Sequence, residues 1–91
     1  MVLSTPFDTL LPLFLQYGDS VTVNSQYLSL AMDTLTLVEF YCQIEPNDKW
    51  YRMRIPRDYP SSSWHAYAKV VAIFEELSCA CEELGFQQRG D

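Results

Sequence analysis

The chain has 91 residues with 12 acidic side chains against 6 basic ones, a formal net charge of −6 with the single histidine neutral, and a composition that is 48% apolar and 20% charged. That is globular rather than disordered composition and implies one small acidic domain over residues 1–91, large enough to form a core although only roughly 60–65% of the unfolded surface is buried at this size. Bulk acidity disfavours a polyanion as principal ligand. One histidine and three cysteines leave little for a metal or catalytic cluster, and the lack of both a long apolar run and an export leader gives the expectation of a cytoplasmic protein with no membrane partner.

The first element is announced by Thr5-Pro6-Phe7-Asp8. Thr5 can cap, Pro6 suits the first helical position because its missing N–H would be unpaired there, and Asp8 favours the first turn. Leu10, Leu11, Phe14 and Leu15 follow at helical spacing, with Gly18 as terminator. Pro12 removes an i to i−4 hydrogen bond and is expected to kink or divide this helix.

Three strands are expected next. Ser25 to Met32 alternates Leu28, Leu30 and Met32 against Tyr27, Ser29 and Ala31, although a helix through Leu28, Ala31, Met32, Leu35 and Val38 competes. Thr34 to Ile44 is β-branched and aromatic, with Val38, Phe40, Cys42 and Ile44 on one face. After a turn at 45–48, Lys49 to Ile55 resumes the alternation. Pairing Cys42 with Tyr51 and Phe40 with Met53 makes one face apolar. The other face then matches Gln43 with Trp50, Tyr41 with Arg52 and Glu39 with Arg54, pairs of about 0.2–1 kcal/mol each that favour the same register. A short turn at Asp33-Thr34 would place Leu30 opposite Leu37 and Leu28 opposite Glu39, leaving both faces of the sheet partly apolar and one available to a partner or a second copy, whereas a bulge at that turn would swap the faces.

The last element starts among Ser61-Ser62-Ser63 and carries a stripe of Trp64, Tyr67, Val70, Val71, Phe74, Leu77, Cys81 and Leu84. Gly85 sits where a left-handed cap is wanted, Phe86 can fold back on Cys81, and 87–91 reads as a frayed tail. The expected architecture is α+β: an N-terminal helix, a three-stranded antiparallel meander and a long C-terminal helix.

Little of this supports catalysis. His65 lies in the first turn of the last helix, where a surface histidine is the plain interpretation. Cys79 and Cys81 diverge by about 200° on a helix and match no zinc spacing. Cys42 and Cys81 read as core and Cys79 as a partly exposed thiol. Gly18, Gly85 and Gly90 are isolated and build no phosphate loop, and the adjacent carboxylates Glu75-Glu76 and Glu82-Glu83 diverge too far to act as a dyad. No catalytic residue, metal or cofactor is expected. The closing Arg89-Gly90-Asp91 reads as coincidence.

Charge segregates along the chain. Residues 1–48 hold six acids and no base, 49–69 hold five bases and one acid, and 70–91 hold five acids and one base. Residues 49–57 interleave Trp50, Tyr51, Arg52, Arg54 and Arg57, a composition suited to stacking single-stranded bases, yet cross-strand pairing of Arg52 and Arg54 with Tyr41 and Glu39 is the favoured explanation, since the surrounding acids repel a phosphate backbone. Glu82 and Glu83 occupy the last turn of a helix, where negative charge costs about 0.3–1 kcal/mol when exposed. They are explained either as a solvated face or as a surface for a basic partner.

The order of elements resembles that of type III secretion chaperones, which are longer and have further strands. The size and charge are similar to those of phage or mobile-element inhibitors and toxin-immunity proteins. Neither resemblance rests on a residue motif. The leading expectation is a non-enzymatic protein-binding module of inhibitor, immunity or anti-defence type that blocks a basic site on a partner protein through Glu75, Glu76, Glu82 and Glu83 and through Tyr41, Trp50, Arg52 and Arg54. The alternatives are a small dimeric secretion-chaperone-like adaptor, in which a homodimer presents the free sheet face, and a single-stranded nucleic-acid binder using strand 49–57.

Overall fold

A computed structural model of the chain describes residues 5–17, 20–33, 38–44, 49–55 and 64–89. It is α+β, with helix α1 (Thr5–Tyr17), strands β1 (Ser20–Val23), β2 (Tyr27–Asp33), β3 (Val38–Gln43) and β4 (Trp50–Arg54), helix α2 (Trp64–Glu83) and the short strand β5 (Gln87–Gln88). The sheet has five strands in the order β1-β2-β3-β4-β5 rather than the expected three. The terminator at Gly18, the turns at Asp33-Thr34 and 45–48, the serine cap at 61–63 and Gly90-Asp91 lie outside the described residues, as do the side chains of Thr5, Trp64 and His65.

α1 runs through Pro12 as one element instead of dividing. Pro12 is on the exposed side, where water can satisfy the carbonyl that loses its helical partner, while Phe7, Leu10 and Phe14 are buried on the other side.

The β3/β4 register is the expected one: Glu39 pairs with Arg54, Phe40 with Met53, Tyr41 with Arg52, Cys42 with Tyr51 and Gln43 with Trp50. The β2/β3 register is not. Leu28 lies opposite Cys42 and Leu30 opposite Phe40, and an irregularity between Ala31 and Asp33 carries the extra residue. An odd shift of register moves every side chain of a strand to the other face. Leu28 and Leu30 therefore join Phe40 and Cys42 in the core, and the expected second apolar sheet face is not formed. Helix packing settles the same point, since α1 lies against β2, α2 lies against β4 and the two helices touch. Among the described residues the helices cover one face and no element packs on the other, the open face, a two-layer arrangement.

Phe40 is the hub of the core. Its ring meets Phe14 edge-on at 5.6 Å, Phe74 edge-on at 5.6 Å and Tyr51 in a parallel stack at 5.5 Å, so both helices and two strands converge on it. From α2 the core receives Val70, Ile73, Phe74, Leu77 and Cys81. Tyr67, expected in the stripe, is 39% exposed, and Ile73, outside it, is buried.

α2 ends in a Schellman motif. Gly85 adopts a φ of 91°, its N–H donates to the Glu82 carbonyl at 3.0 Å, and the Phe86 N–H donates to the Cys81 carbonyl at 3.0 Å. Phe86 is buried beneath this turn. The reversal delivers Gln87 and Gln88 alongside β4 in parallel, with the Gln87 N–H donating to the Lys49 carbonyl at 3.0 Å and the Arg89 N–H to the Tyr51 carbonyl at 2.8 Å. Residues 87–89 are thus part of the sheet, which corrects the expectation of a tail frayed from 87 onward. Among the described residues no helix is long and apolar enough to cross a membrane.

Candidate functional site

The structure separates the eight residues singled out in the sequence into two surfaces on opposite sides of the sheet. Along β3 and β4, Tyr41, Trp50, Arg52 and Arg54 alternate with the core residues Cys42, Tyr51 and Met53, which turns the first four toward the open face. Glu75, Glu76, Glu82 and Glu83 are exposed on α2, which packs on the other face. One flat contact cannot engage both sets.

The four carboxylates also differ from one another. Glu76 accepts a hydrogen bond from the Tyr17 hydroxyl, tying α2 to α1, and Glu82 accepts one from the Tyr51 hydroxyl, tying α2 to β4. The hydrogen bond that Tyr17 donates to Glu76 is the main reason that its phenol is raised above its ordinary pKa. Burial, followed by the Glu82 hydrogen bond, pushes the Tyr51 phenol up to about 12. An acid in the last turn of α2, awkward against the helix dipole, thus has a partner inside the fold. Glu75 and Glu83 have no such tie among the described residues, and Glu82, though tied, remains exposed.

Between α2 and β4 runs a groove of about 560 Å³ that sequence reasoning missed. It forms because α2 leaves the edge of β4 half covered: Met53 and Ile55 are only half-buried, and with Val71 and Phe74 they make an apolar floor. Val71, Glu75, Ser78 and Glu82 recur at i, i+4, i+7 and i+11, so one face of α2 forms the flank. Tyr51, Cys79 and Gln88 complete the described lining. Among the described residues the lining contains two carboxylates and no cationic side chain. In the sequence, Val71 at the margin of the stripe and the neighbouring acids were the only signals, since Met53 and Ile55 had been assigned wholly to the core.

The cysteines fall as expected in type, with Cys42 and Cys81 buried and Cys79 exposed. The structure brings the buried pair to 3.9 Å between sulfurs, linking β3 to α2. Their mutual hydrogen bond, together with burial, holds the Cys42 thiol well above its ordinary pKa, so it stays protonated and unreactive. Among the described residues no group of three or more histidine, cysteine or carboxylate side chains converges on one point as a metal site would require.

On the open face, Tyr27, Tyr41 and Trp50 stand in a row across β2, β3 and β4. Arg52 lies over Tyr41 and Trp50, and Arg89 over Trp50. The sequence pattern does not point to Tyr27 or Arg89: Tyr27 reaches this face only through the irregularity in β2, and Arg89 only because 87–88 pair as β5. Burial is the main cause that raises the Tyr41 phenol, and its hydroxyl donates to Gln43 Oε1.

No protein-family model matches this chain, and no curated protein or solved structure matches it either.

Proposed function

We propose that the protein is a non-enzymatic binding module of inhibitor type, which seats a basic, amphipathic segment of a partner protein in the groove between α2 and β4 and thereby blocks that segment. The observation that carries this reading is the composition of the groove: an apolar floor of Met53, Ile55, Val71 and Phe74 beneath Glu75 and Glu82, with no cation among the described residues of the lining. Apolar side chains entering such a floor supply affinity, and lysines or arginines beside them meet the carboxylates, which adds orientation and speeds encounter. The net charge of −6 acts in the same direction at longer range.

Cys79 lines the groove and is exposed, so its alkylation reports occupancy. With a synthetic basic amphipathic peptide as probe, maleimide labelling of Cys79 should slow in a saturable, salt-sensitive manner. Glu75→Lys should weaken the apparent affinity by about tenfold or more, because a close attraction becomes a repulsion. A Cys79 labelling rate unchanged by peptide at about millimolar concentration, where binding would be too weak to count, would overturn the proposal, as would equal affinity for Glu75→Lys.

A further inference from the structure

The open side of the sheet carries a second surface of different chemistry. The ring centroids of Tyr27 and Tyr41 are 5.0 Å apart with planes tilted by 30°, and those of Tyr41 and Trp50 are 5.3 Å apart with planes tilted by 36°. The Arg52 guanidinium lies 5.0 Å from the Tyr41 centroid and 5.8 Å from that of Trp50. Arg89, delivered by β5, lies 4.8 Å from the Trp50 centroid. Arg54 is exposed and stands opposite Glu39.

Packing by itself accounts for the rings touching one another. It does not account for the charge on this face. Among the described strand residues Glu39 is its one carboxylate, and Glu39 accepts a hydrogen bond from Ser29 Oγ at 3.2 Å. Arg52 Nε is buried without a hydrogen-bond partner among the described residues, so rings hold that guanidinium. In a chain of net charge −6, one face thus gathers three arginines and three aromatic rings, while the exposed acids of α2 lie on the other side of the sheet. Local rather than total charge decides what a surface attracts within a Debye length of about 8–10 Å.

We propose that the open face binds a short single-stranded nucleic acid, its bases stacking on the row of Tyr27, Tyr41 and Trp50 and its phosphates meeting Arg54 and Arg89. Every base presents a π face to a ring, and a guanidinium that covers a ring in the free protein can turn to a phosphate when a base replaces it. A duplex hides its bases in its own stack and offers this row nothing to stack on. The surface is separate from the groove, so this inference and the proposed function stand or fall independently.

The test uses the full chain with Trp64→Phe, which leaves Trp50 as the only tryptophan. Titration at about 50 mM salt with oligothymidylate and oligouridylate of about eight nucleotides should quench Trp50 saturably with at least one of the two sugars, and the affinity should fall as salt rises. An abasic strand of equal length should bind about tenfold more weakly or worse, because it retains the phosphates and lacks the bases. Arg54→Gln and Arg89→Gln should each weaken binding several-fold while the chain still melts cooperatively. Tyr41→Ala should weaken it about tenfold, and Tyr41→Phe should retain it. If Trp64→Phe lacks a cooperative melt, the wild-type chain and a fluorescein-labelled strand followed by anisotropy give the same comparisons. Absence of saturable binding by both strands at low salt would overturn the proposal. So would an abasic strand binding as well as the base-bearing ones, or affinity unchanged by both arginine substitutions.

Discussion

Tyr51 is a buried phenol whose ring completes the core against Phe40 and whose hydroxyl reaches out to Glu82 at the groove. The protonated phenol is the form that burial and this hydrogen bond favour, which is why its pKa rises to about 12 from the ordinary 10. Because the folded-state pKa is raised, stability is unaffected by titration of this group below about pH 10 and falls as pH climbs from there toward about 12, a loss on the order of 2 kcal/mol set mainly by the cost of burying the phenolate. Tyr51→Phe removes the titrating group and keeps the ring. Urea unfolding followed from neutral pH to about pH 12 should show a shallower alkaline loss for the variant. Tyr17, Tyr41 and the Cys42 thiol, also raised, supply what remains. Near neutrality the variant should lose less than about 1 kcal/mol, because the carboxylate left behind is exposed to water. Identical alkaline slopes for the two proteins would show that Tyr51 titrates as it does in the unfolded chain.

At the scale of elements, the end of α2 decides where the sheet ends. Gly85 at a φ of 91° has no atom within 4 Å of where a Cβ would stand, so the cost of a side chain there is conformational rather than steric crowding. Gly85→Ala should lower stability by about 1 kcal/mol with an unchanged urea m-value, and a neutral result would mean that the turn relaxes freely. The consequences of this turn explain what could and could not be read from residues alone. The helix cap, with Gly85 and Phe86 in their places, was legible because Schellman chemistry is local. The β3/β4 register was legible because two independent faces, Phe40 with Met53 and Glu39 with Arg54, demanded the same pairing. β5 was not, since Gln87 and Gln88 have no strand preference and pair only because the reversed chain meets the open edge of β4. β1, four residues long and mostly exposed, carries too little alternation to announce itself. The β2 register turned on one extra residue near Met32, which leaves no trace in an alternating pattern yet flips a whole strand. That single residue moved Tyr27 into the aromatic row and Leu28 and Leu30 into the core. The groove was hidden for a related reason: it arises from how far α2 covers Met53 and Ile55, which no single segment encodes.

Across the whole molecule, two surfaces of opposite charge share one core. Phe40 touches Phe14, Phe74 and Tyr51 and is fully buried, so Phe40→Ala removes ring contacts to both helices at once. Its expected cost of about 3–5 kcal/mol is a large share of the total for a domain of this size, about 5–15 kcal/mol. Groove and open face should therefore fail together in that variant, in proportion to the unfolded fraction measured by circular dichroism. Exposed substitutions should behave differently. Glu75 lies on the helix side and Arg54 on the open side, with the sheet between them and no shared partner among the described residues, so their effects should add. The double variant Glu75→Lys, Arg54→Gln should bind the basic peptide as Glu75→Lys does and the single strand as Arg54→Gln does, each within about 0.5 kcal/mol. A larger departure would mean that one surface senses the occupancy or charge of the other through the sheet, and the molecule would then be a coupled adaptor instead of two independent sites on one scaffold.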